Sequence, residues 1–360
     1  MPCVTDLKNK YLEKDNLLIL HLTDRCNNRC RFCMVDEIHG NFSFPYETAL
    51  RLIDKLPVGS KVDLFGGEPT LYQRFFDLLQ YIQSKSLKCS IATNGRLFSN
   101  RDFTSKVVTI TGGNLYVRTS LLGLSTEVHD GLTGVKGSHA ELMAGLDNII
   151  SATMLCQVNI VITTMNLPDL SEITRLVIDK GVQRIKFGLI VDALSSLDLV
   201  PTLVQIRPQL EKAVQIAERH GLTVTVEKAP LCLLPEYMNQ FSSESVLGKW
   251  SRFYDDTGEC GYCVARNWCD GLDPQYVEEF GPEGISRIEK IDHTILTPFP
   301  LDVSNANIRF LKLNLFEMPQ NFIEQEQCKM IMLKLIEQTR EKHARIAFID
   351  NNIVRQQTYF

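Results

Sequence analysis

Two hydrophobic periods take turns along the first two-thirds of the chain. Short apolar runs of strand length recur at "LLILHLT" (17–23), "VDLF" (62–65), "KCSIAT" (88–93), "LYVRTSL" (115–121), "QVNIVIT" (157–163) and "RIKFGLIV" (184–191). Between and after them, apolar residues fall three and four apart. This helical spacing marks "YETALRLIDKL" (46–56), "QRFFDLLQYIQSK" (73–85), "HAELMAGLDNIISA" (139–152), "LPDLSEITRLVIDKG" (167–181) and "IRPQLEKAVQIAERHG" (206–221). The stretch "VVTI" (107–110) reads as an extra strand in the third crossover. Six β–α repeats with near-continuous apolar strands predict a barrel-like parallel sheet covered by helices. Such a sheet carries its chemistry at the C-terminal ends of its strands.

Beyond residue 228 the periodicity breaks down. "DDTGECGYCVARNWCDGLDPQYVEEFG" is dense in Gly, Asp and Cys, as expected of a region organised by a metal instead of a large apolar core. The last 75 residues or so regain a strand signal in "RFLKLNLFEM" (309–318) and a helix signal from about Asn321 to Ala347. The chain is therefore divided at 1–228, 229–284 and 285–360.

The 360 residues carry a net charge of −5 without a block of like charge, which gives no footprint for nucleic acid. No signal-peptide core and no window near ~18 apolar residues is present, so a cytoplasmic protein without a membrane span is expected. Eleven cysteines in such a setting suit metal binding better than disulfides. Six fall in two groups, Cys26/Cys30/Cys33 and Cys260/Cys263/Cys269; Cys89 and Cys156 sit in apolar runs and read as small core residues.

The first group follows the first strand as "CNNRCRFC". Three thiolates can wrap one corner of a [4Fe–4S] cubane and leave one iron open, whereas a structural zinc site takes four ligands. "FGGEP" follows the second strand, "TNG" the third, and "SLLG" closes the fourth, so the unusual residues share one rim.

This ordered set resembles the radical S-adenosylmethionine (radical SAM) superfamily over roughly residues 15–230. The resemblance implies a partial (β/α)6 TIM-like barrel with a small C-terminal iron–sulfur extension. It also implies a cluster on Cys26, Cys30 and Cys33 whose open iron is chelated by SAM. Phe32 matches the aromatic position near the adenine. Gly66, Gly67 and Glu68 match the segment that receives the SAM amino group. Asn94 lies in the third-strand motif, and Ser120 matches a ribose or carboxylate contact. Asn166 and Ile190 are further cofactor-contact candidates. "HDGLTGVKGSH" (129–139) matches the family's segment after the fourth strand. "SLLG" places Leu122 where many relatives carry an acid.

"CGYCVARNWC" resembles part of the SPASM or twitch motif of auxiliary-cluster extensions. Its usual next cysteine is replaced by Asp273. The fourth ligand is left open between Cys232, Asp273 and an iron free for substrate, and structural zinc stays as the alternative metal. By resemblance, SAM is cleaved reductively and a 5′-deoxyadenosyl radical takes a hydrogen from the substrate. The expected substrate is a ribosomally made precursor peptide, with a small molecule as the alternative. The expected partners are an external one-electron reductant such as flavodoxin or ferredoxin and a separate leader-binding protein, since no such domain is visible before residue 15. No catalytic acid or base is assigned.

Overall fold

The structure is a computed structural model that describes residues 11–14, 16–33, 40–191, 196–242, 252–255, 258–266, 269–289, 310–314, 345–350 and 353–357. Strand β1 (Tyr11–Lys14) pairs antiparallel with β2 (Leu17–His21). From β2 onward every pairing is parallel, through β3 (Lys61–Phe65), β4 (Lys88–Ala92), β5 (Leu115–Ser120), β6 (Cys156–Val161), β7 (Arg184–Gly188), β8 (Thr223–Glu227) and β9 (Phe241–Ser242). Spatial order equals chain order, and among the described residues no pairing joins β9 to β1 or β2. The sheet is a curled half-barrel. The six expected strands are β2–β7; β8 and the short β9 prolong the parallel run.

The outer face is covered by α1 (Tyr46–Ile53), α2 (Phe75–Ser84), α3 (Arg101–Thr111), α4 (Thr126–Thr133), α5 (Ser138–Ser151), α6 (Leu170–Asp179) and α7 (Leu203–Arg219). One continuous core joins them to the sheet through Leu18, Leu20, Val62, Leu64, Ile91, Val117, Val158, Ile185, Phe187 and Val226. Cys89 and Cys156 belong to this core, as small apolar residues should.

Two expectations need correction. The strands are not uniformly apolar: β5 and β6 alternate buried and half-buried positions, because only one face meets helices while the other lines an open lumen. "VVTI" is no strand but part of α3, whose first turn is capped by the Asn100 side chain accepting from the amides of Asp102 and Phe103. Only Val107 of the four is fully buried, so the run presents a helical stripe to the core.

Past the barrel, α8 (Pro274–Phe280) lies against α7, where the Leu203 amide donates to the Tyr276 hydroxyl at 2.8 Å. A separate sheet follows, with β10 (Phe310–Asn314) parallel to β11 (Arg345–Asp350) and β11 antiparallel to β12 (Ile353–Gln357). β10 falls inside the expected strand. Residues 321–344 of the expected helix lie outside the described residues, and its last three, Arg345 to Ala347, are strand. The missed signal is "FIDNNIV", two asparagines between β-branched and aromatic runs, which favours a hairpin over a helix. No helix among the described residues is long and apolar enough to cross a membrane.

Candidate functional site

The loop after β2 is laced to the loop after β3 backbone on backbone. The Gly67 amide donates to the Thr23 carbonyl at 2.6 Å and the Glu68 amide to the Arg25 carbonyl at 2.8 Å. A Cβ on Gly66, at φ +149°, would lie 2.5 Å from the Thr23 oxygen; one on Gly67 would lie 2.5 Å from the Arg25 oxygen. The paired glycines thus admit the cysteine loop itself.

Glu68 is fully buried between the two loops. Its Oε1 accepts from the Thr70 amide (3.1 Å), the Thr70 hydroxyl (2.6 Å) and the Thr93 hydroxyl (2.7 Å); its Oε2 accepts from the Asn94 amide (2.7 Å). Burial pushes its pKa up, and these four bonds oppose the shift. The carboxylate ties the β3 and β4 strand ends together below the cysteines.

The next turn clamps the cysteine loop from the side. Asn94 donates to the Asn27 side chain at 2.6 Å, and Arg96 donates to the Asn27 carbonyl and, at 2.9 Å, to the Asn28 side-chain oxygen. Asn28 in turn donates its amide to Cys26 Sγ at 3.3 Å. On the far side, the amides of Arg29 and Arg31 donate to the carbonyls of Thr133 and Leu132 at the end of α4. Gly134, at φ +68°, lets the Arg29 carbonyl come close. Sequence reasoning did not single out Asn27, Asn28 or Arg96. The signal lay in "CNNRC" and "TNGR", whose amides and guanidinium suit hydrogen-bonded loops.

Cys26 and Cys30 are half-buried and Cys33 is exposed. Burial pushes the Cys26 thiol up to about 11 and the Cys30 thiol up to about 12, with the neighbouring sulfurs adding to both. Such thiols ionise readily only when a metal takes the proton's place. Phe32, Cys30 and Ile190 pack on one small apolar cluster with Leu122, Leu132 and Leu199. Ser120 ends β5 beside it. Asn166 is fully buried and spends its side chain locally: Nδ2 donates to the carbonyls of Leu122 (2.9 Å) and Val161 (2.8 Å), and Oδ1 accepts from the Thr163 amide.

The second group is brought together with a fourth thiol. Cys232, Cys260, Cys263 and Cys269 line one apolar pocket with Leu231 and Ile288. Backbone amides already point at its sulfurs: Leu231 and Gly271 donate to Cys269 at 3.3 Å, and Ile288 donates to Cys263 at 3.4 Å. Burial pushes the Cys232 thiol up to about 11. Asp273 is placed differently, accepting from the Gln275 amide as the N-cap of α8. Arg207 holds the carbonyls of Cys232 and Gly284, fixing the pocket to α7.

Among the described residues no three His, Cys, Asp or Glu side chains converge on a point suited to a single ion. A cubane makes a different demand, because each thiolate binds its own iron at a separate corner. The donor chemistry of both cysteine sets is compatible with it: three thiols on a rim loop, and four along an apolar pocket with amide donors to sulfur.

Residues 20–177 match the family model of the Radical SAM superfamily. The AdoMet-dependent heme synthase of Oleidesulfovibrio alaskensis is 30% identical over 168 residues, covering 44% of this chain and 42% of that protein. The antilisterial bacteriocin subtilosin biosynthesis protein AlbA of Bacillus subtilis is 25% identical over 184 residues, covering 50% of this chain and 40% of its own length. The chain thus spans under half the length of these relatives. The crystal structure of Streptococcus suis SuiB bound to precursor peptide SuiA shares the fold at a TM-score of 0.52 and 18% identity, over 64% of this chain and 53% of SuiB.

Proposed function

We propose, from the premise that residues 20–177 are a radical SAM domain, that the chain is a radical enzyme acting on a ribosomally made precursor peptide. The observation that carries the reading is the lacing of the cysteine loop to "GGE" and "TNG", which holds three thiols at the barrel mouth and, among the described residues, adds no fourth. When bound, a [4Fe–4S] cluster with one open iron supplies the electron that splits SAM into methionine and the 5′-deoxyadenosyl radical that takes a substrate hydrogen.

The chain's own residues do the rest. Cys26, Cys30 and Cys33 hold three irons. Gly66, Gly67 and Glu68 shape the seat for the SAM amino group, with Asn94 behind them and Ser120 toward the ribose or carboxylate. Phe32 and Ile190 offer the apolar wall for the adenine, and Asn166 braces that wall through the Leu122 carbonyl. Cys232, Cys260, Cys263 and Cys269 hold an auxiliary cluster with four thiolates. Cys232 completes that set, since it lines the pocket while Asp273 caps α8. Residues 1–228 form the barrel, 229–284 the auxiliary unit and 285–360 a C-terminal extension. An external reductant such as flavodoxin or ferredoxin and a separate leader-binding protein complete the system, in the cytoplasm.

The peptide reading is supported by the fold shared with SuiB, solved with a precursor peptide, and by the likeness to a bacteriocin biosynthesis protein. The likeness to heme synthases favours a second reading, a small-molecule substrate. The test is 5′-deoxyadenosine release by reconstituted protein with SAM and reductant, which Cys30→Ala should abolish. Adding peptides encoded beside the gene then separates the two substrates by the mass change of the product. Failure of the intact protein to release 5′-deoxyadenosine would refute the reading.

A further inference from the structure

We propose, on the radical-enzyme reading above, that the lumen of the half-barrel binds an oxyanion, a carboxylate or a phosphate, carried by the substrate. Strand register fixes which residues face the lumen. Asp63 pairs with Ser90, Ser90 with Tyr116, Arg118 with Gln157, Asn159 with Lys186 and Gly188 with Glu227, so these positions share a face opposite the helix-covered core. Along that face stand five cations, Lys61, Lys88, Arg118, Arg184 and Lys186, against two carboxylates, Asp63 and Glu227. The chain as a whole carries −5. A cationic lumen inside an anionic protein focuses anions inward.

Both carboxylates are already engaged. Arg118 pairs with Asp63 at 2.5 Å and Lys186 with Glu227 at 2.8 Å, in half-buried surroundings. Lys61 and Arg184 close the lower end over the Tyr116 ring, 5.7 and 5.6 Å from its centroid. Burial lowers the Lys61 pKa; Asp63 opposes this, while Arg118 and Arg184 add to it. Like charge is crowded here, and a bound anion would relieve it.

The hydrogen bonds also have a direction. The Tyr116 hydroxyl donates to Gln157 Oε1 at 2.5 Å. Gln157 Nε2 donates to Asn159 Oδ1 at 2.7 Å, so the relay ends on the amide nitrogen of Asn159, a donor. Register sets Asn159 between Ser120 and Lys186, roughly 7 Å below the rim at about 3.3 Å per residue. The Nε of Arg118, one side-chain layer lower, is buried without a hydrogen-bond partner. Asn159, Lys186 and Arg118 thus put N–H groups at neighbouring positions of one sheet face, Arg118 leaning toward Asp63 and Lys186 toward Glu227. Charge-assisted hydrogen bonds from such a set select an anionic acceptor.

The test uses the full chain, reconstituted with iron and sulfide, saturated with SAM, and titrated by calorimetry with acetate or inorganic phosphate against matched chloride. One saturable anion per chain is expected. Lys186→Met and Asn159→Leu should each weaken it by about tenfold or more while SAM affinity stays unchanged. Because Lys186→Met strands Glu227, the double variant K186M/E227Q is measured as well and should show the same loss. Tighter acetate identifies a carboxylate substrate and tighter phosphate a phosphorylated one; either supports the site. The proposal falls if neither anion saturates, if the variants bind like wild type, or if SAM affinity drops in parallel, which would assign the donors to the cofactor. The titration needs no turnover, so a failure of 5′-deoxyadenosine release would count against the enzyme reading and not against this site.

Discussion

The two cysteine sites are built on opposite principles. At the rim, three thiols sit on one eight-residue loop held by polar contacts: amides to carbonyls, three asparagines and an arginine. In the extension, four thiols from two stretches of chain line an apolar pocket, and backbone amides reach two of the sulfurs directly. The rim leaves Cys33 exposed, while all four pocket thiols are buried or half-buried. An open edge suits an exchangeable ligand, and a closed thiol set suits a permanent one. The two thiol sets thus differ in how far the chain encloses the sulfurs.

The sharpest way to break this contrast is to wedge the rim apart. Gly67→Ala would put a methyl 2.5 Å from the Arg25 carbonyl and 2.7 Å from that of Asp24, both rigid backbone. Iron per reconstituted chain should fall from about eight to about four, with 5′-deoxyadenosine release lost, because the pocket cluster survives. An unchanged iron count would show that the loop does not need the close approach. The converse change is Cys232→Ser. It should also remove about four irons yet leave SAM cleavage intact, since the pocket lies outside the rim loop. Full iron retention in that variant would exclude Cys232 from the ligand set.

How much of this was legible beforehand follows the same divide. The rim motifs could be read because each sits at a strand end, and strand ends follow from apolar runs. Cys232 could be suspected only as a nearby thiol, since a pocket assembled from four stretches leaves no local period. The lumen was misread for another reason. "LYVRTSL" and "QVNIVIT" look apolar when counted, but Tyr116, Arg118, Gln157 and Asn159 occupy every second place, and this alternation marks a sheet with one open face. The C-terminal helix was carried three residues too far, into β11, where hydrophobic spacing outweighed the asparagine pair before β12.

His129 sharpens the comparison in solution. It is 2% exposed, and its Nδ1 accepts from the Leu122 amide at 3.1 Å, bracing the wall beside Cys30. Burial, aided by His139, pulls its pKa down to about 4 from 6.5. The folded protein therefore binds fewer protons than the unfolded chain between these values, so stability is lost as pH falls from 6.5 toward 4. The loss amounts to about 3 kcal/mol. Denaturant melts of wild type and His129→Gln across that range should diverge on the acid side, with the variant flatter. Parallel curves would mean that His129 is protonated in the fold.

The smallest expected effect concerns Asn28, which joins the loop's polar clamp to a cluster sulfur. Its backbone amide donates to Cys26 Sγ, its side chain works against the burial that pushes the Cys30 thiol up, and Arg96 fixes the side-chain oxygen at 2.9 Å. Donors to thiolate sulfur stabilise the more negative, reduced cluster, so losing one lowers the reduction potential. Asn28→Ala should therefore make the rim cluster harder to reduce while keeping its iron, by an amount worth about 1 kcal/mol for one neutral donor. Arg96→Gln should shift the potential the same way by less, because it frees the amide to turn without removing it. A potentiometric titration followed by electron paramagnetic resonance separates this from structural damage, which would lower the spin count along with the potential. If Asn28→Ala keeps the wild-type potential, the clamp holds the loop's shape but does not tune its chemistry, and the rim would then resemble the pocket in relying on backbone amides alone.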